Sequence, residues 1–379
     1  MKRSGQKTIR QAAAALCVAA FFLGAAGISS AAQLAPPPQV SAKSAALLDG
    51  TTGECLYVKN GAQRALIAST TKIMTGLLVC EAGELDRTVT VPDAAVGLEG
   101  SSMYLKKDET LTRRDLLYGM MLHSGNDAAL TLAISVSGSE AAFVRQMNLR
   151  ARALGLTQTH FANPHGLDSG ENYSTALDLA HLAQAALQNA QLRAVVSTKT
   201  AVCAGRTLTN HNKLLWGYDG CIGVKTGFTK KSGRCLVSAA ERDGVTLIAV
   251  TLNAPDDWND HAKMLDYGFA SVESVSFDES NFSVQLPLVG GEGEELLVKG
   301  TTGGSVSVPS EDAGRITRKV FLPAFLYAPI QKGETVGSVQ YYLESTKLFS
   351  IPLIAGENGK IQELSLIHIS EPTRPEPIS

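Results

Sequence analysis

The feature that most constrains the fold is a block of helical patterns placed between two groups of strand-like segments. Before the block, Ser44 to Asp49 and Glu54 to Lys59 have strand character and are joined by the turn-forming run 50–53, which predicts a hairpin. After the block, three further strands and an amphipathic helix are predicted, over residues 220–229, 234–240, 245–252 and 258–269. This order predicts an α/β (α+β) domain with an antiparallel sheet covered by helices and an inserted helical subdomain.

The helical block contains several periodic apolar segments. Helices are predicted over residues 112–122, 127–136, 139–154 and 174–190. The first two are separated by a polar break that contains Ser124, Gly125 and Asn126. Such a break can present side chains into a cleft, although a Ser-Gly-Asn tripeptide is more often only a turn.

A short motif precedes the block. Ser69-Thr70-Thr71-Lys72 leads into the apolar run 73–79, and together they predict a helix that begins at Ser69. Residues three apart share one face of a helix, so the Lys72 amine can reach the Ser69 hydroxyl. The free N–H groups at a helix start would favour a developing anion. Taken alone, the motif also fits a helix cap with a solvated lysine, so its chemistry depends on partners elsewhere in the chain.

Two further motifs supply candidate partners. The serine-lysine motif is followed by Ser124-Gly125-Asn126 and then by Lys225-Thr226-Gly227. Class A β-lactamases and penicillin-binding proteins have closely similar motifs in the same order, but with aspartate at the position of Gly125. His165, in a loop by composition, is another candidate base, but a lone loop histidine is more often structural.

These motifs make the chain, from about Ala42 to Glu363, resemble the low-molecular-mass D-alanyl-D-alanine carboxypeptidases, serine peptidases of the penicillin-binding-protein superfamily. The run 253–258 is similar to the sporulation-associated branch. The resemblance implies a β-lactamase/transpeptidase-like fold followed by a small all-β domain. It also implies peptidoglycan stem pentapeptides as substrate, β-lactam antibiotics as covalent inhibitors, and no metal or cofactor.

The resemblance also assigns the steps of acyl transfer. Ser69 is expected to attack the carbonyl between the last two D-alanines, and Lys72 to take its proton. Lys225 is expected to lower the pKa of Lys72. The backbone N–H groups of Ser69 and Phe228 are expected to form the oxyanion hole.

The remaining motif residues are expected to hold the substrate. Ser124 would relay a proton to the leaving D-alanine, and Asn126 would hold the substrate backbone and position the lysine. Lys225 and Thr226 would bind the terminal carboxylate. Gly227 would be small so that the substrate can lie against the strand edge as an added strand.

The sequence departs from the family pattern at one point, and two other functions are alternatives to a carboxypeptidase. Some relatives have a carboxylate-binding arginine beyond the Lys-Thr-Gly strand, but the matching run 258–261 contains none. A β-lactamase would need a glutamate for deacylation, and the loop 160–172 offers only Glu171-Asn172, without the Glu-x-x-x-Asn spacing. A β-lactam sensor or wall scaffold that binds without turnover is the non-enzymatic alternative.

The rest of the chain indicates export and a second domain. The predicted segments are a signal peptide at 1–32, a proline-rich linker at 33–43, a catalytic domain at 44–275, a β-rich domain at 282–363 and a non-native tail at 364–379. The expected location is the outer face of the cytoplasmic membrane or the cell wall, with a Gram-positive source. Relatives usually carry a C-terminal amphipathic membrane anchor, whereas the tail has three prolines, so we expect the natural anchor to be missing.

Composition excludes other classes. A net charge of −2 without a basic stripe argues against nucleic-acid binding. Five scattered cysteines follow the signal peptide, a set that matches neither a disulfide framework nor a zinc site and leaves a single bridge open.

Overall fold

A computed structural model describes residues 36–362, so the predicted signal peptide and tail lie outside the described residues. The helices are α1 (Lys72–Ala82), α2 (Arg113–Leu122), α3 (Asn126–Ser137), α4 (Glu140–Ala153), α5 (Ala176–Gln188), α6 (Ala190–Val196), α7 (Leu214–Gly217) and α8 (Asp257–Ser271). The strands are β1 (Ser44–Asp49), β2 (Cys55–Lys59), β3 (Ala65–Leu66), β4 (Thr88–Thr90), β5 (Thr110–Thr112), β6 (Tyr173–Ser174), β7 (Thr200–Cys203), β8 (Arg206–Thr209), β9 (Cys221–Thr229), β10 (Gly233–Arg242), β11 (Val245–Leu252), β12 (Val272–Ser276), β13 (Ser283–Val289), β14 (Glu295–Gly300), β15 (Ser305–Pro309), β16 (Ile316–Phe321), β17 (Leu326–Tyr327), β18 (Thr335–Leu343) and β19 (Thr346–Ala355).

The central element is a five-stranded antiparallel sheet in the order β2-β1-β11-β10-β9. The predicted hairpin is confirmed as β1 and β2, and the three later strands are confirmed as β9, β10 and β11. β9, which carries the Lys-Thr-Gly motif, is an edge strand. Its outer side pairs with no other strand within residues 36–362, and such an edge can accept an added chain.

Helices cover both faces of this sheet, because successive strand residues point to opposite sides. In β11, Leu247 and Ala249 pack with Leu265 of α8. Ile248 and Val250 belong to the larger core that contains α1 and α5. The predicted α/β (α+β) arrangement is confirmed, and the helical block is the layer that brings α1 beside β9.

Capping side chains mark the starts of four of the eight helices in the described part of the chain. The predicted helix starts at Thr112 and Ser139 are the caps of α2 and α4, where each hydroxyl accepts a backbone N–H. α1 begins at Lys72 rather than Ser69, because a 3-10 turn over Ala68–Thr71 precedes it. The sequence did not predict the β7–β8 hairpin or the short helix α6.

No single helix within residues 36–362 is long and apolar enough to cross a membrane. α3 and α4 pass that test of length and composition only as a pair, and they are bent by 85° to one another.

The C-terminal region is all-β, as predicted. Its six-stranded sheet runs β16-β18-β19-β14-β13-β17. It has its own apolar core, which includes Val298, Val339 and Leu353.

Candidate active site

Ser69 lies in the 3-10 turn that leads into α1. The residue before it, Ala68, has a left-handed backbone with φ of +47°, a conformation that costs a residue with a side chain about 1 kcal/mol or more. Two glycines hold this turn from outside. A Cβ at Gly166 would lie 2.0 Å from the Ala68 carbonyl oxygen, and one at Gly227 would lie 3.1 Å from the Ser69 nitrogen. Position 227 therefore needs a glycine, because a side chain there would crowd the Ser69 turn.

Lys72 is fully buried below the serine. Its Nζ lies 2.9 Å from Ser69 Oγ, 2.7 Å from Asn126 Oδ1 and 2.5 Å from the His165 carbonyl oxygen. Burial lowers the pKa of Lys72 well below its usual value, and the positive charge of Lys225 lowers it further. The amine thus stands among three neutral oxygen atoms and contacts the serine predicted to be its partner.

The break between α2 and α3 positions the second motif. Ser124 has a left-handed backbone with φ of +63° and is only 4% exposed. Asn126 starts α3, and its side-chain amide donates to the Glu99 carbonyl at 2.6 Å, while its backbone N–H donates to the Ser101 carbonyl at 2.7 Å. These bonds fix the amide so that its oxygen faces Lys72.

Lys225 and Thr226 lie on the edge strand β9. Lys225 is 1% exposed, and its Nζ donates to the Thr226 carbonyl at 3.0 Å. Burial lowers its pKa to about 7. Among the described residues, neither Lys225 nor Lys72 has a carboxylate within salt-bridge distance, so both cations are buried without a direct counter-charge.

A cleft of about 710 Å³, a size typical of ligand sites, opens beside Ser69; the buried side chains of Lys72, Asn126 and Lys225 are not among the residues that line it. The predicted residues that line it are Ser69, Ser124, Thr226, Gly227 and Phe228. The remaining wall is formed by Ser101, Thr209, Asn210, His211, Lys213, Trp216, Arg234, Asp257 and Trp258. None of the three sequence motifs contains a residue of this second set, which includes both tryptophans of the chain.

His165 contributes a backbone atom rather than its ring. Burial, followed by the charge of Lys72, lowers the pKa of its imidazole to about 4. The ring Nδ1 accepts the Leu167 N–H at 3.3 Å, and Nε2 lies 3.8 Å from a Glu140 carboxylate oxygen. The carbonyl, not the imidazole, contacts Lys72. A sequence offers no signal for such a contact, because every residue has a carbonyl group.

Within the described residues, the cysteines form no disulfide bond and the potential metal ligands form no cluster. Five free cysteines are present within residues 36–362, at positions 55, 80, 203, 221 and 235. In the same range, no group of three or more His, Cys, Asp or Glu side chains is arranged to hold a metal ion.

Comparison with known families gives two matches. The family described as D-alanyl-D-alanine carboxypeptidase matches residues 31–256. The family described as the C-terminal domain of penicillin-binding protein 5 matches residues 278–360. The two matches follow one another along the chain and cover the site and the all-β region.

Individual proteins agree with these matches. D-alanyl-D-alanine carboxypeptidase DacF of Bacillus subtilis is 34% identical over 335 residues, covering 84% of this chain and 86% of that protein. DacC of Escherichia coli, of the same description, is 33% identical over 356 residues and covers 89% of both chains. The solved structure of penicillin-binding protein 5 from Haemophilus influenzae superposes with a TM-score of 0.66 at 28% identity, over 86% of this chain and 99% of that one.

Proposed function

Because this chain belongs to the D-alanyl-D-alanine carboxypeptidase family and is a serine-type hydrolase of that class, we propose that Ser69 is its nucleophile. Ser69 attacks the carbonyl between the last two D-alanines of a peptidoglycan stem pentapeptide. The D-alanine amine leaves, and water then hydrolyses the acyl-enzyme. The observation that carries this proposal is the contact of 2.9 Å between Ser69 Oγ and the buried Lys72 Nζ.

The surroundings of Lys72 support its role as general base. A neutral amine has two N–H donors and one lone pair. Its donors match Asn126 Oδ1 and the His165 carbonyl, which leaves the lone pair for the Ser69 hydroxyl. Burial favours that neutral state. Lys72 therefore takes the serine proton as the new bond forms.

The oxyanion hole is assigned to the backbone N–H groups of Ser69 and Phe228. Support comes from the close packing of Gly227 on the Ser69 turn, because this contact brings the end of the Lys-Thr-Gly motif beside the Ser69 nitrogen. Donors held by packed backbone need no rearrangement when charge develops on the carbonyl oxygen. One such donor is worth about 3 kcal/mol of barrier.

The other motif residues complete the cycle. Ser124, which lines the cleft, passes a proton to the leaving D-alanine. Asn126 orients Lys72 and the substrate backbone. Thr226 and Lys225 attract the terminal carboxylate, and the substrate pairs with the free edge of β9.

We further propose how the chain is divided and where it acts. Residues 44–275 form the catalytic domain, and 282–363 form a spacer or docking domain. Residues 1–32 direct export, so the enzyme acts on peptidoglycan at the outer face of the cytoplasmic membrane of a Gram-positive bacterium. The basic start and apolar run of the first segment support this.

The test is release of D-alanine from a pentapeptide together with mass spectrometry after incubation with penicillin. Wild type should release D-alanine and carry one adduct on Ser69, whereas Ser69→Ala should do neither. An adduct on another residue, or equal release by both proteins, would refute the site. Rapid penicillin turnover would instead indicate a β-lactamase, and an adduct without D-alanine release a sensor.

A further inference from the structure

The terminal carboxylate of the substrate lacks an accessible cation in the motifs alone. Lys225 is 1% exposed, its Nζ already donates to the Thr226 carbonyl, and burial lowers its pKa to about 7. Such a lysine can attract an incoming anion, but as a buried and partly neutral group it holds the anion only weakly on its own. A carboxylate in the cleft needs a permanently charged group that solvent can reach.

Arg234 is such a group. It lines the same cleft as Ser69, and 43% of its side chain is exposed. It lies at the start of β10, directly opposite Phe228 of β9 in the antiparallel register. Directly opposed residues in an antiparallel pair point to the same side of a sheet. Arg234 thus stands beside the end of the Lys-Thr-Gly motif.

Two residues at the start of α8 orient this arginine. Arg234 Nη2 lies 2.8 Å from an oxygen of Asp257, whose side chain is only 4% exposed. The guanidinium carbon lies 5.5 Å from the centre of the Trp258 ring. These two contacts hold the guanidinium in place, and the exposed part of the side chain lines the cleft.

We infer that Arg234 is a specificity-determining residue that binds the free carboxylate of the leaving D-alanine, and that Asp257 is its positioning residue. The run 258–261 contains no arginine, and β10 provides the guanidinium instead. A planar guanidinium suits a carboxylate because its N–H groups can donate in parallel. This inference rests on the proposed function and names the group that selects a substrate ending in an anion.

The experiment compares two substrates that differ only in this charge. One is an acylated peptide ending in D-alanyl-D-alanine, and the other is the same peptide with a C-terminal amide. In Arg234→Gln, kcat/KM for the carboxylate substrate should fall about 10- to 100-fold through KM, as expected for a lost hydrogen bond to a charged group. For the amide substrate, kcat/KM of Arg234→Gln should change less than about threefold. The variant should therefore lose the preference of the wild type for the carboxylate substrate over the amide. Arg234→Lys should retain part of that preference.

The matched control is Arg114→Gln, because Arg114 also has a 43% exposed side chain and pairs with a carboxylate, that of Asp86, but does not line the cleft. It should leave both substrates unchanged. Asp257→Asn should weaken the preference for the carboxylate by a smaller factor than Arg234→Gln. Equal losses on both substrates, or no loss on either, would overturn the inference. A wild type that hydrolyses neither substrate and forms no Ser69 adduct would instead refute the proposed function, so the two failures are distinguishable.

Discussion

Two of the places where the structure buries charge differ in whether an oppositely charged group contacts the buried one. Beside the C-terminal sheet, Glu279 is 6% exposed and receives two hydrogen bonds from Arg318, at 2.5 and 2.7 Å, and a third from Tyr341 at 2.6 Å. In the cleft, Lys72 and Lys225 are buried among neutral oxygen atoms.

The difference shows what each arrangement is for. A paired, fully hydrogen-bonded carboxylate keeps its charge, and Arg318 accordingly lowers the pKa of Glu279. An unpaired buried ammonium tends to lose its proton instead, which costs stability but provides a base near neutral pH. The hydrogen-bonded Glu279 thus stabilises the fold, whereas the buried cleft lysines lower stability and provide a base for catalysis.

The largest expected effect is that of replacing Lys72, which should slow catalysis without lowering stability. Lys72→Met should slow acylation by a fluorescent penicillin about a thousandfold, because it removes the general base. The free energy of unfolding should stay equal or rise, because an apolar side chain replaces a buried amine without a counter-charge. Stopped-flow labelling and urea unfolding measure the two quantities.

The control is Lys107→Met, which removes an exposed lysine paired with Asp93. It should change neither the labelling rate nor the unfolding midpoint. Acylation by Lys72→Met at a rate near that of wild type would show that another group takes the serine proton. A large loss of stability would show that the buried amine is compensated after all.

The second prediction breaks the C-terminal arrangement. Glu279→Gln should lower the free energy of unfolding by about 2 kcal/mol, because it leaves charge-assisted hydrogen bonds unmade, while acylation stays unchanged. The pKa of Glu279 is lowered in the folded state, so its stabilisation is present at neutral pH and is lost as the pH falls through the folded pKa. Wild type and variant should therefore converge in acid.

Glu344→Gln is the matched control, because it removes an exposed carboxylate that pairs with Arg315. It should change stability little, as exposed pairs usually do. If both variants lost the same free energy of unfolding, the burial of Glu279 would not strengthen its pairing with Arg318. The buried carboxylate could then not be contrasted with the unpaired cleft lysines.

The sequence predicted most of the fold because the elements follow strong local patterns. The β1–β2 hairpin, α2 to α5 and strands β9 to β11 all have clear periodicity or capping residues. The β7–β8 hairpin was missed, because four-residue strands carry little pattern. The start of α1 was displaced by the 3-10 turn at Ala68, whose left-handed backbone depends on contacts with Gly166 and Gly227.

The site was predictable where spacing or motif order carries chemistry, as for Ser69, Lys72 and Asn126. It was not predictable where tertiary packing supplies the group. The His165 carbonyl reaches Lys72 only because a loop folds against α1. Arg234 enters the cleft only because β10 lies beside β9 and α8 holds the guanidinium.

The third prediction concerns the coupling between the two cleft lysines. After burial, the charge of Lys225 is the next cause that lowers the pKa of Lys72. Lys225→Gln removes that charge, so the pKa of Lys72 should rise and the rising limb of the acylation profile should move to higher pH. The position of the limb is independent of its height, so it is readable even where the variant binds the probe more weakly. A limb that stays in place would show that burial alone tunes the base.

Stability provides an independent measure of the same lysine. Lys225 has a folded pKa of about 7 and an ordinary value of 10.5, so between these pH values the unfolded chain holds a proton that the folded chain has lost. Stability rises with pH wherever the unfolded state binds more protons. Wild type should therefore gain stability relative to Lys225→Gln as the pH increases from 7 towards 10.5. Parallel curves across this window would mean that Lys225 keeps its charge in the fold, and the cleft would then be as well compensated as the Glu279 cluster.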